Sequence, residues 1–484
     1  MILFSQADDM KDELPYDIEK DIFGSLKAIK SLQSEKVYKI KSPETPLNNK
    51  LATIEKIGTD DFLCKVYCEE LIEPIAGRKS AGYGAFEDLY LESNEDIYFI
   101  KAKSVLEINM SLIIPSLLQF KLTHFQKGSV EDFDDKHLRL IIPVSNNPSL
   151  TTLTNKRLKT GNHYLPSGIV EVNLNNKPFH LYKSVNADSN YIIIESLEPI
   201  TFDKFKKASD SLITAYALIS GNLHLGEYFY HVIERDFNAK QRVIYEKNEP
   251  AAITNVTLLN HIDFKNHLEN TTSSKAFHHH CVPMSTDIFS SLCQKVYDNV
   301  IYARCCRFII EGHQSKQVLL KGGIYSIGIE TIAAILYEEN AERINPIDDK
   351  KLAKKIIGKV REAIGEYDAF ISSYGKNILE AKINALNSPT NAKKLSRPFE
   401  LFGITLPEED VAILNTRNKF LHGTSPLENN ENPEELQAIV NKLLFMLMVL
   451  MFKHAGYSGH IIHYPDYIKY RYTSPYSGQL FFTI

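Results

Sequence analysis

Ten consecutive residues, Leu443 to Phe452, carry no polar side chain. Asn432-Pro433-Glu434-Glu435 stands ahead of them as a helix start. It offers a capping amide, a proline in the first turn where its missing N–H costs nothing, and two acids at the positive end of the helix dipole. A helix that is apolar all round cannot lie on a surface. Either the rest of the chain wraps it as the centre of a bundle, or a second copy covers it across a two-fold interface. The run is far short of the ~18 residues that a membrane span requires, so no membrane association is expected.

The texture around this helix is helical from Ser285-Thr286-Asp287 onward. Residues 287–311, 322–339, 347–386, 405–422 and 433–455 are predicted as helices, punctuated by Gly322-Gly323, Pro346, Pro389 and Pro398. Such segments with short connections suit a bundle. Upstream the pattern is different. Val37–Ile40, Phe62–Tyr67, Phe86–Leu91, Asp96–Ile100, Leu138–Ile142 and Tyr191–Ile194 are aromatic and β-branched runs that predict strands. Asn146-Asn147-Pro148 and Asn173 to Lys177 read as turns, and Glu131 to Asp135 as a solvated one. Helices are expected over Asp17–Leu32 and Phe202–Ile219, with further strands at Tyr228–Tyr230 and Val243–Tyr245. Many strands joined by short turns imply a sandwich or barrel-like sheet.

At 484 residues the chain exceeds a single core. The expected class is α+β: a β-rich domain over 1–270, an all-α bundle over 285–457 and an aromatic-rich tail over 458–484, with the boundary in the polar stretch 266–276. The tail is either a strand pair closing on the body or a partner-binding segment. A formal charge of −5 excludes a globally basic nucleic-acid coat, so any RNA site has to be a local patch. Met1 to Ser5 lacks the basic start of a signal peptide, and six cysteines are too few for a disulfide scaffold. A cytoplasmic protein is expected.

The chemistry concentrates in Arg417-Asn418-Lys419-Phe420-Leu421-His422-Gly423. Arginine is permanently cationic and forks onto phosphate oxygens; histidine gives or takes a proton near neutrality. The bland alternative is a solvated arginine and a histidine capping a helix C-terminus. The surroundings favour the sharper reading. Thr405 and Glu408 are spaced as a capping box, with Pro407, Glu409 and Asp410 in the first turn. Val411, Leu414, Phe420 and Leu421 keep a helical apolar spacing through the motif, and Gly423 offers a left-handed stop.

These residues resemble the HEPN ribonucleases, most closely the ApeA-like anti-phage group. That family carries an arginine, a polar residue beside it, and a histidine after four to six intervening residues on a helical bundle. Here these are Arg417, Asn418 and His422, and the bundle resemblance spans Ser285 to Tyr457. The β-rich front half resembles the ApeA type in layout. The resemblance implies an endoribonuclease of abortive infection, with tRNA the expected substrate, and pairing of two copies.

The residues imply a concrete mechanism. Neutral His422 would take the proton of a ribose 2′-OH, and Arg417 would hold the phosphate and stabilise the charge that develops on it. Asn418 would orient His422 from four residues back. In-line displacement wants a base on one side of phosphorus and an acid on the other, so a two-fold dimer or higher even oligomer is expected. Glu330 is a candidate supporting residue from a neighbouring helix. Lys354, Lys355 and Lys359, in a basic run from Lys350 to Arg361, are either an RNA guide or an ordinary solvated face. Lys393 and Lys394 with Arg397, read as a loop, and Lys419 are further RNA candidates.

Other patterns carry less. His278, His280 and Cys281 are weak metal candidates, Cys293 and Cys305 fall on different helix faces, and Cys64-x3-Cys68 matches no strong zinc spacing. No metal or other cofactor is expected. Gly77 to Gly84 lacks the order of a P-loop, and its default reading is a loop. If it binds anything, a nucleotide, an RNA backbone or a phage-derived trigger is the expectation. The alternative to a nuclease is a regulator that keeps the bundle and binds RNA or protein without catalysis.

Overall fold

The computed structural model describes residues 18–33, 35–58, 61–69, 88–93, 96–101, 104–110, 116–145, 150, 152–155, 159–160, 163–164, 168–186, 189–233, 242–248, 252–253, 283–427, 432–466 and 481–484. The boundary stretch 266–276, the Gly77–Gly84 loop and the His278–Cys281 cluster lie outside the described residues. Chain contacts divide the protein into two compact units, Met1–Ile253 with Pro283–Tyr297, and Thr254–Val282 with Asp298–Ile484.

In the first unit, helix α1 (Ile18–Leu32) precedes strands β1 (Lys36–Ile40), β2 (Leu51–Ile57), β3 (Asp61–Cys68), β4 (Leu89–Glu92), β5 (Ile97–Ile100), β6 (Val105–Met110), β7 (Ser116–Leu122), β8 (His124–Lys127) and β9 (Leu138–Val144). After the short β10 (Lys159–Thr160) and β11 (His163–Tyr164) come β12 (Ile169–Leu174), β13 (Lys177–Asn186) and β14 (Ser189–Ser196). Helix α2 (Phe202–Ser220), β15 (Asn222–Leu223), β16 (Glu227–Val232), β17 (Val243–Lys247), β18 (Ala252–Ile253) and helix α3 (Thr286–Asp298) complete it. Fourteen strands form one antiparallel sheet in the order β12-β13-β14-β9-β16-β17-β8-β5-β4-β1-β2-β3-β7-β6.

The sheet curls on itself, and among the described strands its two ends, β12 and β6, do not pair with each other. Phe62 of β3 meets Phe125 of β8 at 5.1 Å and Tyr245 of β17 at 4.7 Å between ring centroids, although several strands separate them in the sheet order. Right-handed strand twist accumulated over this many strands brings the two halves face to face around an aromatic core. The Asn173–Lys177 turn is a tight hairpin with Asn175 and Asn176 at φ 52° and 58°, the left-handed region a primed turn requires. Glu131–Asp135 is more ordered than a solvated turn. Val130–Phe133 is a short 3-10 helix with Phe133 buried, and Asp134 accepts the N–H of Phe202 at 2.8 Å at the start of α2. Helix α3 groups with the strands because Met284 bridges Leu153, and Ser290 and Gln294 side chains accept the N–H groups of Asn173 and Asn175.

Strands β9, β14 and β16 are buried on both faces. Phe202 and Phe205 of α2 cover one face through Tyr230 at 5.2 and 6.3 Å. The other face holds a row of five titratable residues in register across five neighbouring strands: Glu171, His180, Glu195, Arg139 and His231. The last four are at most 1% exposed. Arg139 Nε donates to Glu195 Oε1 at 2.5 Å, Tyr182 O–H to the same oxygen at 2.6 Å, and Arg139 Nη1 to Ser25 Oγ of α1 at 3.0 Å. Cys64 is wholly buried, and burial pushes its thiol up, away from the thiolate a metal needs.

The second unit holds α4 (Val300–Gln314), α5 (Val318–Ile344), α6 (Lys350–Gly365), α7 (Ser373–Asn384), α8 (Asn391–Leu401), α9 (Glu408–Leu421), α10 (Pro433–His454) and the strand pair β19 (His460–Ile462) and β20 (Phe481–Thr483). More helices are present than the sequence pattern predicts. The segment 287–311 breaks at Asn299, whose side chain caps α4 through Ile301 and Tyr302. The segment 347–386 breaks at the 3-10 turn Asp368–Phe370. Lys393, Lys394 and Arg397 lie in α8 and not in a loop. Thr390 caps that helix, and Pro398 falls in its last turn, buried with Leu395 and Phe399, so the missing N–H is offset by packing. The tail forms a strand pair, with Ile461, Ile462 and Tyr464 buried.

Helix α5 is the axis on which α4, α8, α9 and α10 pack. Gly322 and Gly328 let neighbours in: a Cβ at Gly328 would stand 2.7 Å from Leu447 Cδ2 of α10, and one at Gly322 2.4 Å from Phe420 Cε1 of α9. Every residue from Leu443 to Phe452 is buried within this chain. The apolar stretch is therefore the centre of the bundle, and the reading of it as a two-fold interface is corrected. By length and composition α5 and α10 are long and apolar enough to cross a membrane, with mean hydropathy 1.5 and 1.7. The uninterrupted run judged from sequence underestimated this, and 72% of the α10 stretch is buried inside the protein.

Burial also sets a pH response. Desolvation lowers His224 to about 4. Desolvation, followed by the Arg139 charge, lowers His231 to about 3. Desolvation, helped by Lys321 and opposed by a bond to the Ile309 carbonyl, lowers His313 to about 4. Unfolded imidazoles bind a proton near pH ~6.5, so between that value and the folded ones the unfolded chain binds more protons. Stability is thus complete above pH ~6.5 and falls by about 1.4 kcal/mol per histidine for each unit the pH drops below it. Urea midpoints measured from pH 7 to 5 should fall, and less steeply in His231→Leu. An identical slope in that variant would refute the assignment.

Candidate functional site

Helix α9 carries the motif, and its start differs from the expected capping box. The N-cap is Pro407, with no side-chain cap bond, and Thr405 lies outside the helix. Proline brings no hydroxyl; instead Glu408, Glu409 and Asp410 place negative charge at the dipole's positive end. Asp410 is also held by Lys442 of α10 at 2.6 Å.

Asp410, Leu414, Arg417 and Phe420 are the buried positions of α9, spaced four, three and three apart as one helix face. Arg417 is therefore not a solvated arginine. Only 6% of it is exposed, and its Nε donates to Glu330 Oε1 of α5 at 2.8 Å. The Glu330 side chain stays 40% exposed, so this carboxylate touches solvent while steering a guanidinium that barely does. Among the described residues the two Nη nitrogens donate to no protein group. A guanidinium held by its Nε edge keeps its Nη pair for an anion.

The helix ends in a Schellman arrangement. Gly423 N–H donates to Phe420 O at 3.0 Å, and Thr424 N–H to Lys419 O at 2.8 Å, with Gly423 at φ 70°. Thr424 Oγ1 adds a second bond to Lys419 O at 2.9 Å. His422 is the C-cap within this lock, its backbone fixed and its side chain exposed. Among the described residues its imidazole has no hydrogen-bond partner. The link to Asn418 is main-chain: His422 N–H donates to Asn418 O at 3.1 Å, and both side chains face solvent. The orienting role expected of the Asn418 amide is absent among the described residues. The exposed Lys419 Nζ donates to Pro426 O at 3.3 Å.

The basic residues separate by environment. Lys354, Lys355 and Lys359 are exposed on α6, as is Lys393 on α8. Lys394 is half-buried with its ammonium 5.4 Å from the Tyr337 ring centroid, which ties it to α5. No group of three or more His, Cys, Asp or Glu side chains able to hold a metal occurs among the described residues. Cys293, Cys305 and Cys306 are buried, and burial pushes Cys305 up to about 12 and Cys306 up as well.

Two features here lay beyond sequence reading. Phe420 lies against Gly322, fixing the end of α9 next to the motif. At the neighbouring Gly323 a Cβ would meet only Phe420 O, in ordinary van der Waals contact at 3.6 Å. The two glycines should therefore respond with opposite signs. Gly322→Ala is expected to destabilise by about 1–3 kcal/mol through overpacking. Gly323→Ala should stabilise by about 0.4–1 kcal/mol through the unfolded state. Urea midpoints decide it, and shifts of the same sign would sink the close-packing account.

Residues 327–459 match the family model for the Apea-like HEPN domain. The matched stretch contains Glu330, Arg417, Asn418 and His422. No curated protein and no solved structure matches the chain.

Proposed function

We propose that this protein, whose residues 327–459 match the Apea-like HEPN family model, a match that at family level points to RNA-related nuclease work in defence against phage, is an RNA endonuclease whose reaction runs on Arg417 and His422. The observation that carries the proposal is their contrast at one helix end. A nearly buried guanidinium is aimed by Glu330, and an exposed imidazole, without a hydrogen-bond partner among the described residues, sits at the C-cap five residues on.

The reaction proposed is internal transfer. His422 Nε2 or Nδ1 takes the 2′-OH proton as O2′ attacks the adjacent phosphorus. Arg417 balances the added negative charge on the non-bridging oxygens. The P–O5′ bond breaks, and the leaving oxygen takes a proton, giving 2′,3′-cyclic phosphate and 5′-OH ends. The guanidinium supplies the positive charge and the neutral imidazole the base that this displacement needs, so the chemistry proposed is independent of metal. The acid on the far side would be the partner subunit's His422 in a two-fold pair. Since Leu443–Phe452 is already covered by its own chain, that pairing would use another surface. We take tRNA as the substrate class, the cytoplasm as the site of action, and the sheet unit as the part that receives a phage-derived trigger or restrains the nuclease.

The test is cleavage of total tRNA by the purified full chain in excess EDTA, with and without phage lysate. Cyclic-phosphate ends produced by wild type and lost in His422→Ala support the proposal. Cleavage that persists in His422→Ala, or that EDTA abolishes, refutes it. Binding without cleavage under both conditions would favour a regulator that keeps the bundle.

A further inference from the structure

The connection between α6 and α7 and the first turn of α7 present three aromatic side chains to solvent: Tyr367 at 61% exposure, Phe370 at 87% and Tyr374 at 76%. Phe370 and Tyr374 are the two most exposed large hydrophobic side chains among the described residues. Clustered apolar exposure of this kind marks an interaction site. The platform is also held in shape. Phe370 N–H donates to Tyr367 O at 2.9 Å, closing a 3-10 turn in which positions three apart eclipse. Ser372 caps α7 through Gly375 N–H at 3.1 Å, which places Tyr374 in the first turn. Behind it, Lys376 pairs with Asp368, and Arg361 donates to Glu380 at 3.3 Å and Asn384 at 2.7 Å.

The preceding helix of the same hairpin, α6, carries a cationic stripe. Lys351, Lys355 and Lys359 recur every fourth residue on α6, so they share a face with a step of ~6 Å along the axis. All three are exposed, and among the described residues none makes an ion pair. Residues 350–386 contain eight Lys and Arg against four Asp and Glu, a net +4 in a chain whose formal charge is −5. Exposed aromatic faces and ammonium groups free of ion pairs among the described residues, carried on one hairpin, fit a single-stranded nucleic acid, whose unstacked bases lie on aromatic rings while lysines meet the phosphates.

We propose that the α6–α7 hairpin is a platform for single-stranded RNA, with bases stacking on Phe370 and Tyr374 and the backbone following Lys351, Lys355 and Lys359. The choice of RNA rests on the cleavage reading above, and the test therefore reads binding alone. The probe is a short fluorescein-labelled oligouridine with 2′-O-methyl sugars, which has no 2′-OH nucleophile, titrated against the full chain by anisotropy. The wild-type chain should bind it. The Phe370→Ala/Tyr374→Ala double variant should bind about tenfold more weakly or worse, with an unchanged melting temperature. Lys355→Glu/Lys359→Glu should weaken binding and flatten its salt dependence by about 0.7 log units per log unit of salt for each phosphate no longer neutralised.

Equal affinity of the aromatic double variant overturns the proposal, and so does equal affinity of wild type for the duplexed probe. A double variant that turns an assembled protein into monomers on sedimentation, with RNA affinity unchanged, makes the hairpin a protein interface instead. His422-dependent cleavage surviving any of these results leaves the catalytic proposal intact. Hairpin-dependent binding without cleavage removes only the catalytic one.

Discussion

His422→Ala is expected to lower the rate of RNA cleavage by about 10²–10⁴-fold, the usual worth of a positioned general base. The fold should be unaffected, since the side chain is exposed and the Schellman lock at Gly423 and Thr424 is built from main chain and the Thr424 hydroxyl. Arg417→Ala should cost activity by about 10²–10³-fold, the scale of removing one electrostatic stabiliser of the transition state. It should also cost stability, because Leu414 and Phe420 flank the position on the buried face and Glu330 loses its cation. Arg417→Lys separates the two effects. It restores charge but not the fork that leaves Nη atoms free once Nε is engaged, so stability should recover more than activity. Single-turnover rates on one labelled RNA, beside melting temperatures of the same samples, check all three. A full rate in His422→Ala would end the mechanism, whatever the arginine variants do.

The largest effect on stability is expected elsewhere, at Arg139. Its pair with Glu195 is sealed in the sheet unit, with side chains 1% and 0% exposed. Removing one partner leaves a buried charge without compensation, so Arg139→Met should destabilise by about 3–5 kcal/mol. The double replacement Arg139→Met/Glu195→Leu should recover much of the loss, since a buried ion pair exchanged for apolar side chains of similar volume is often neutral. His231, held down in part by the Arg139 charge, should titrate closer to the ordinary imidazole value in both variants. Denaturant unfolding gives the stabilities. A double variant as unstable as the single one would show that Tyr182 and Ser25, which also bond this pair, and not the charges, carry the cost.

Much of the architecture is legible in local pattern. The strands at Val37–Ile40, Phe62–Tyr67, Leu138–Ile142 and Tyr191–Ile194 and the helices at Ile18–Leu32 and Phe202–Ile219 follow from side-chain periodicity, which backbone geometry imposes residue by residue. Gly423 as the stop of α9 belongs to the same class, because a left-handed φ is a property of one residue. Pattern failed where a neighbour distant in sequence sets the outcome. Pro398 looked like punctuation, but packing against the bundle carries it inside a helix. Thr405 looked like a cap, and the chain enters through Pro407 instead.

The site divides along the same line. That an arginine, a neighbouring amide and a histidine stand at the end of one helix follows from seven adjacent residues, because the spacing is contained in them. The burial of Arg417, and its aiming by Glu330 from 87 positions away, exist only once α5 and α9 have packed. Packing likewise consumes the apolar stretch Leu443–Phe452 inside the chain and leaves Phe370 and Tyr374 in water. Burial is a relation between segments: the same apolar run is a core or an interface according to what folds over it, and that covering is not written in the run itself.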